Sequence, residues 1–485
     1  MVRSRPEGTG QTTEEAGRTA EGAGKAGRPP SLWRDRDYVV WWSGEGLSSL
    51  GNSVSTLAFP LLMLHATGSA AQAGTITMLH MLGRLGTLVL GGALSDRVSR
   101  RALLSLAALV EALSMGAVAW LVYRGDPPVL GLDALALVSG LAAGLRSGVT
   151  SPVLRRIVPK ERIADATAQG MGRDMLAQLL GAPLGGLLYS VARWVPFLFD
   201  AVSFLFITLG SLLIRRPLGP DRRGDGEGRP GLVADVKDGL RVIRRSDYLV
   251  FTLFWGAVLN AVAQGFMLLF VVIVQHRGGG PTTIGAVTSL AVAGGVIGAV
   301  AGPWLMRRIG ARRVLLLSAW LFAASFAATA VVPRPWQIGL VMMIGMTSMV
   351  PMNVVTESYE VRLVPDAYLG RVTATGQFGF QAVQWTGPLV AGVLADALGV
   401  ESAVLVLAAA MAVLALVLHL ARRRLAVLDV PLEEVRELPA PAAAHEAAAE
   451  EGGAGDVTGR SAGQDAERGP GQDAVLTEPS KGRAG

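Results

Sequence analysis

Long apolar stretches recur twelve times along this chain, separated by short polar turns and, midway, by one longer polar segment. A helix rising 1.5 Å per residue needs about 20 apolar residues to cross about 30 Å of hydrocarbon. The stretches that meet this length predict helices over 38–64, 73–95, 102–123, 129–157, 165–190 and 195–214, then over 249–275, 283–305, 313–332, 336–362, 371–396 and 401–421. The expected fold is an all-α membrane protein, with twelve transmembrane helices in two six-helix bundles. The bundles are expected to span 33–215 and 248–422, joined by a linker at 216–247. The flanking segments 1–32 and 423–485 are rich in Gly, Ala, Glu and Arg and lack apolar periodicity, so they are expected to be disordered tails. Within the linker, Leu232, Val233, Val236, Leu240 and Val242-Ile243 gather near one helical face, which predicts a short interfacial helix before the seventh span.

Composition agrees with this pattern: 51% of the 485 residues are hydrophobic and only 17% charged, too apolar for an ordinary soluble chain. The net charge of +6 does not point to nucleic acid, because the basic residues lie between apolar runs and only four are lysine. There is no cysteine, and the five histidines show no ligand spacing, so no disulfide, metal or cofactor is expected. A phosphate-binding GxxxxGK[ST] loop is missing, and no acid–base or nucleophile constellation is evident, so an enzyme is not expected.

Charge between the spans predicts orientation. One set of alternate loops holds twenty-two Lys and Arg; the other holds only Arg124, Arg193, Arg277 and Arg334. Cytoplasmic loops retain positive charge, so both termini are expected in the cytoplasm of a multi-pass cell-membrane protein. The halves also repeat. Arg156-Ile-Val-Pro159 and Gly181-Ala-Pro-Leu-Gly-Gly186 recur 206 residues later as Arg362-Leu-Val-Pro365 and Gly387-Pro-Leu-Val-Ala-Gly392. Repeats of one topology are expected of two bundles with a binding site between them.

Charges inside the spans are the candidate chemistry, because ionised groups in hydrocarbon are costly and usually face a cavity or a partner. Arg84, Glu111, Arg146, Arg173 and Asp174 fall about 13 Å or more from either surface, with Glu45 shallower and Asp200 near a helix end. An arginine moving toward or away from such a carboxylate would switch its hold on a proton. Glu111 and Asp174 are the expected proton carriers, with Arg84, Arg146 and Arg173 as partners and Glu45 as a further candidate. In the second half Glu357 and Glu360 are charged, and Gln264, Gln377, Gln381 and Gln384 offer neutral hydrogen bonding. Met63, Met78, Met81, Trp120, Phe266, Phe270, Met342, Met343 and Trp385 are candidates to line an apolar cavity.

The loop Gly91-Gly-Ala-Leu-Ser-Asp-Arg-Val-Ser-Arg-Arg-Ala-Leu-Leu104, with Asp96, Arg97, Arg100 and Arg101, resembles the signature loop of major facilitator superfamily transporters. An acid at one helix end facing arginines that begin the next can form a charge-assisted latch. Its counterpart 211 residues on has Arg307 where Asp96 stands, so the latch is expected in the first half only. Ser48-Ser-Leu-Gly-Asn52, Phe197-Leu-Phe-Asp-Ala-Val-Ser-Phe204 and Asp238-Gly-Leu-Arg-Val-Ile-Arg-Arg-Ser246 are similar to drug:proton antiporters of the macrolide-efflux and enterobactin-exporter type. Gly181, Pro183, Gly185 and Gly186 resemble the helix-5 Gly-Pro motif of such antiporters. The resemblance implies export of a hydrophobic or amphipathic small molecule in exchange for protons, by a monomer in the lipid bilayer. A proton symporter or facilitator importing a nutrient, and a membrane sensor that does not transport, are the alternatives.

Overall fold

The computed structural model describes residues 31–125, 127–219 and 232–439, without the side chains of residues 89, 93, 96, 97 and 232–236. Most of both expected tails, part of the linker and the side chains of Asp96 and Arg97 therefore lie outside the described residues. Within them every regular element is helical: Arg36–Thr67 (α1), Ala70–Arg97 (α2), Arg100–Tyr123 (α3), Val129–Ile157 (α4), Ile163–Val191 (α5) and Val195–Leu213 (α6), then Leu232–Ile243 (α7), Asp247–His276 (α8), Pro281–Ile309 (α9), Ala311–Val331 (α10), Pro335–Leu363 (α11), Asp366–Gln384 (α12), Thr386–Leu398 (α13) and Val400–Leu420 (α14), with a few 3₁₀ turns.

Caps set several boundaries. The Asp35 carboxylate accepts from the Asp37 and Tyr38 amides to start α1, and Gly68, at φ 69°, ends it. Ser69 accepts from Gln72 N–H to begin α2, and Ser99 accepts from Ala102 N–H to begin α3. Ser99 thus starts a helix within the signature loop.

Ten of these helices are long and apolar enough to cross a membrane. The other two places in the six-and-six pattern belong to α5 and to α12 with α13. Helix α5 carries Asp165, Gln169, Arg173, Asp174 and Gln178, which lower its hydropathy. The eleventh span, expected to be continuous, breaks at Trp385. Pro388 supplies the reason: it has no N–H to donate to residue 384, and its ring crowds that carbonyl, so α12 ends there.

Corresponding helices of the two halves pack alike. Helix α2 lies on α4 as α9 lies on α11, and α3 lies on α6 as α10 lies on α14. Between the halves the main contacts are α5 with α9 and α2 with α13. Both crossings occur where α2 and α9 begin. Gly186 of α5 rests on the Pro281 carbonyl, and Gly392 of α13, 206 residues later, rests on the Ala70 carbonyl. A Cβ at either glycine would collide with that oxygen. These two crossings seal one end of the molecule.

The start of the C-terminal segment differs from expectation, whereas helix α7 stands where the short helix before the seventh span is expected. It packs on the protein: Gly239 abuts Arg371 and Thr375 of α12, Val242 and Ile243 are buried, and Asp238 pairs with Arg241 at 2.7 Å and Arg371 at 3.7 Å. The tail expected to be disordered from residue 423 begins with ordered turns instead. Leu425 and Leu428 are buried, Tyr359 Oη donates to the Val430 carbonyl at 2.8 Å, and Arg312 pairs with Asp429. Burial of the two leucines and the ion pair hold this segment down. The compact unit runs to Arg436, and Glu437–Pro439 beyond it form no helix.

Candidate functional site

The core of the first half holds three charged side chains from three helices. Arg146 of α4 donates from Nε to Glu111 Oε2 of α3 at 2.7 Å and from Nη1 to Glu45 Oε2 of α1 at 3.4 Å. Side-chain exposures are 12%, 2% and 8% for Arg146, Glu111 and Glu45, so the cluster is nearly dry. The guanidinium lies 5.5 Å from the ring of Phe204, itself buried on α6. Two carboxylates thus share the Arg146 guanidinium, and Arg84 acts on Glu111 from further away. Glu45 Oε1 is buried with no hydrogen-bond partner among the described residues.

The remaining candidates divide. Arg173 and Asp174 form a separate one-to-one pair at 2.9 Å. Asp174 Oδ1 also accepts from Ser49 Oγ at 2.8 Å, and the Arg173 guanidinium lies 5.5 Å and 5.9 Å from the rings of Trp41 and Trp42. Asp174 is 44% exposed, and its charge is matched by Arg173. Arg84 is exposed and makes no ion pair with Glu111 or Asp174 among the described residues. In the signature loop, the Arg101 guanidinium donates to the carbonyls of Ile214 and Arg216, where α6 ends, and Arg100 is buried with its N–H on the Leu218 carbonyl. A cation on a helix C-terminus is favourable without any carboxylate. Gly181, Gly185 and Gly186 with Pro183 form a packing face: Gly181 meets Ser53, Gly185 meets Val54, and Ala182 and Pro183 meet Gly285 of α9.

Sequence reasoning passed over Asp200. It is 1% exposed on α6, accepts from Ser55 Oγ at 2.6 Å and Ser203 Oγ at 3.2 Å, and has no basic partner within ion-pairing distance among the described residues. Glu111 and Arg146 act on it through space. The signal lay on α1, where Glu45, Ser48 and Ser55 recur on one face of the helix.

A cavity of about 380 Å³ opens at the end opposite the sealing crossings, and all of its walls come from residues 243–384. That is room for a drug-sized molecule. Trp255, Phe322, Phe380 and Met352 give apolar walls, whereas Gln377, Gln381 and Gln384 present amides from one face of α12. Asn260 and Asn353 face them, and Glu357 and Glu360 of α11 add negative charge, while no described Lys, Arg or His lines the space. None of the aromatics and methionines expected to form such a cavity lines it. Met63, Phe266, Phe270 and Met342 are core residues, and Trp120 is 56% exposed. Helical periodicity marks an apolar face without saying which neighbour covers it.

Comparison with known proteins adds to this geometry. The family model for the Major Facilitator Superfamily matches residues 41–278 and 253–451. The multidrug efflux pump Tap of Mycolicibacterium fortuitum is 26% identical over 395 residues, 76% of this chain and 91% of that protein. A point mutant of the nucleoside transporter NupG superposes with a TM-score of 0.66 at 13% identity, over 79% of this chain and 99% of that one. A bacterial homologue of the human lysosomal transporter Spinster, inward-facing and unoccupied, gives 0.65 at 13% identity, over 82% and 98%. The two solved structures share the fold, and the family model runs through both helical halves and the crossings that join them: the chain belongs to the Major Facilitator Superfamily.

Proposed function

We propose that this protein exports an amphipathic small molecule across the cell membrane in exchange for protons, by alternating access of two bundles within a single chain, without cofactor or chemical transformation. The observation that carries the reading is the pair of buried carboxylates, Glu45 and Glu111, on one arginine. Similarity to the Tap efflux pump supports the direction of transport. The arginine-rich loops lie at the open end, so the positive-inside bias reads this conformation as open to the cytoplasm.

A substrate enters the cavity with its apolar part against Trp255 and Phe380 and its polar part on the α12 amides or Glu357. In this state the cluster gives its proton to the cytoplasm, and Arg146 engages both carboxylates. Rocking of the bundles opens the α5–α9 and α2–α13 crossings, the substrate leaves, and an external proton takes Arg146's place on Glu45. Each proton that returns through a potential of 100 mV supplies about 2.3 kcal/mol for the cycle.

The test uses purified protein in liposomes with an internal pH dye, an imposed proton gradient and a panel of amphipathic compounds, some cationic. Substrate-driven proton movement that Glu45→Gln abolishes while binding persists is the expected result. Binding without proton movement in any variant would sink the antiport reading in favour of uniport or sensing.

A further inference from the structure

We infer that Asp396 is a latch that holds the sealed end shut, joining the second bundle to the first through the start of α2. Its carboxylate accepts from Ser69 Oγ at 2.6 Å, from Ala70 N–H at 2.9 Å and from Ala71 N–H at 3.0 Å. These donors include the first free amides of α2, where the helix dipole favours an anion. Ser69 already caps Gln72 N–H, so Asp396 completes the N-cap of α2 from the opposite bundle. The bonds are charge-assisted and cross the line along which alternating access must part the molecule.

Among the described residues, the pseudo-equivalent crossing has no such device. The residue 206 positions before Asp396 is Ser190, whose hydroxyl donates to Leu187 within its own helix at 2.7 Å. Across α5 and α9 the hydrogen bond found runs from Ser289 Oγ to the Leu179 carbonyl, at 2.9 Å and between neutral groups. Backbone contact at the matched glycines is alike in the two crossings, so the charge difference sets their relative strength. The α5–α9 crossing parts first, and release of Asp396 sets how often the outer end opens. No substrate or proton site need be involved.

This inference rests on the rocking-bundle reading, and its test separates the two. The chain has no cysteine, so Val191→Cys on α5 and Val331→Cys on α10, 72% and 75% exposed at the sealed end, accept spin labels without background. Distance distributions between the labels are measured by pulsed electron spin resonance at several pH values, together with melting temperature. Asp396→Ala and Asp396→Asn are expected to raise the ratio of long to short distances about tenfold, and Ser69→Ala, which deletes one of three bonds, to raise it less. If the parent shows both distances and the Asp396 variants leave the ratio unchanged, whether or not they melt earlier, the latch is overturned and Asp396 only packs. If the parent shows one distance under every condition, the rocking-bundle reading fails and the latch falls with it.

Discussion

Arg146 and Glu111, on neighbouring helices, are joined through Nε and Oε2 at 2.7 Å, whereas the same guanidinium reaches Glu45 only at 3.4 Å. The two carboxylates are therefore not equivalent. Glu111 holds the arginine more closely, and Glu45 keeps one buried oxygen without a hydrogen-bond partner among the described residues, which is why the proposed proton step is placed there.

That inequality separates two variants. Glu111→Gln strips Arg146 of its closer partner and is expected to cost about 3 kcal/mol of stability, as broken buried ion pairs do. Glu45→Gln leaves the closer pair intact and is expected to cost less than about 1 kcal/mol while abolishing substrate-driven proton movement. Denaturant melts alongside the dye assay would show both; equal destabilisation by the two would contradict the assignment.

Replacing Arg146 should be worse than either. Arg146→Met leaves two buried carboxylates with no cation, and the folded yield at pH 7.5 is expected to fall steeply. Because those acids can then be accommodated only with protons bound, the variant's stability should recover as pH falls toward 5, opposite to the trend for an ordinary exposed ion pair. A pH series of melting temperatures decides.

Asp200 should tolerate its amide. Asn keeps an oxygen for the Ser55 hydroxyl, and its N–H can donate to Ser203 Oγ, which already bonds the backbone carbonyl of residue 200, so Asp200→Asn is expected to retain transport and most stability. Asp200→Leu strands the Ser55 hydroxyl, while Ser203 keeps its bond to the backbone carbonyl of residue 200, and should cost about 1–3 kcal/mol. Loss of proton coupling in the Asn variant would make Asp200 a carrier in its own right.

The cavity's amides predict selectivity. Gln381→Leu is expected to weaken binding of hydrogen-bonding substrates by about two- to tenfold, leaving apolar ones nearly unchanged. Titration of a matched pair of ligands by fluorescence would show whether the two classes separate.

The ordered start of the C-terminal segment carries its own expectation. Truncation after Arg422 removes Leu425 and Leu428 from their burial and Asp429 from Arg312, so it should melt several degrees below truncation after Pro439. Identical melting curves would mean that the segment adds nothing.

Much of the architecture could be read from residue order because membrane thickness fixes helix length and a repeated sequence fixes the relation of the halves. Pro388 even announced the break at Trp385, although the apolar run across it read as continuous. Glu111 and Arg146 were legible as costly buried charges. Arg146 was also named as a partner, but the third member was not legible, since the angle at which α1, α3 and α4 meet decides that Glu45, and not Asp174, joins them. Depth along a helix ranked Glu45 low; its neighbours decide otherwise. The cavity aromatics failed for a related reason: Phe266 stacks on Phe326 at 3.5 Å inside the second half, a contact between helices that no single-helix pattern contains.

The interruption at Trp385 divides one membrane crossing into two pieces with different neighbours. The inner piece, α12, shows Gln377 and Gln381 to whatever occupies the cavity, and the outer piece, α13, brings Gly392 and Asp396 to the start of α2. On the proposed reading, cargo contact and closure of the sealed end therefore reside on one continuous peptide with a joint in the middle. A ligand that tilts the inner rod is transmitted to the door by covalent bonds alone, and the indole at the joint is placed to report that movement as a change in its fluorescence.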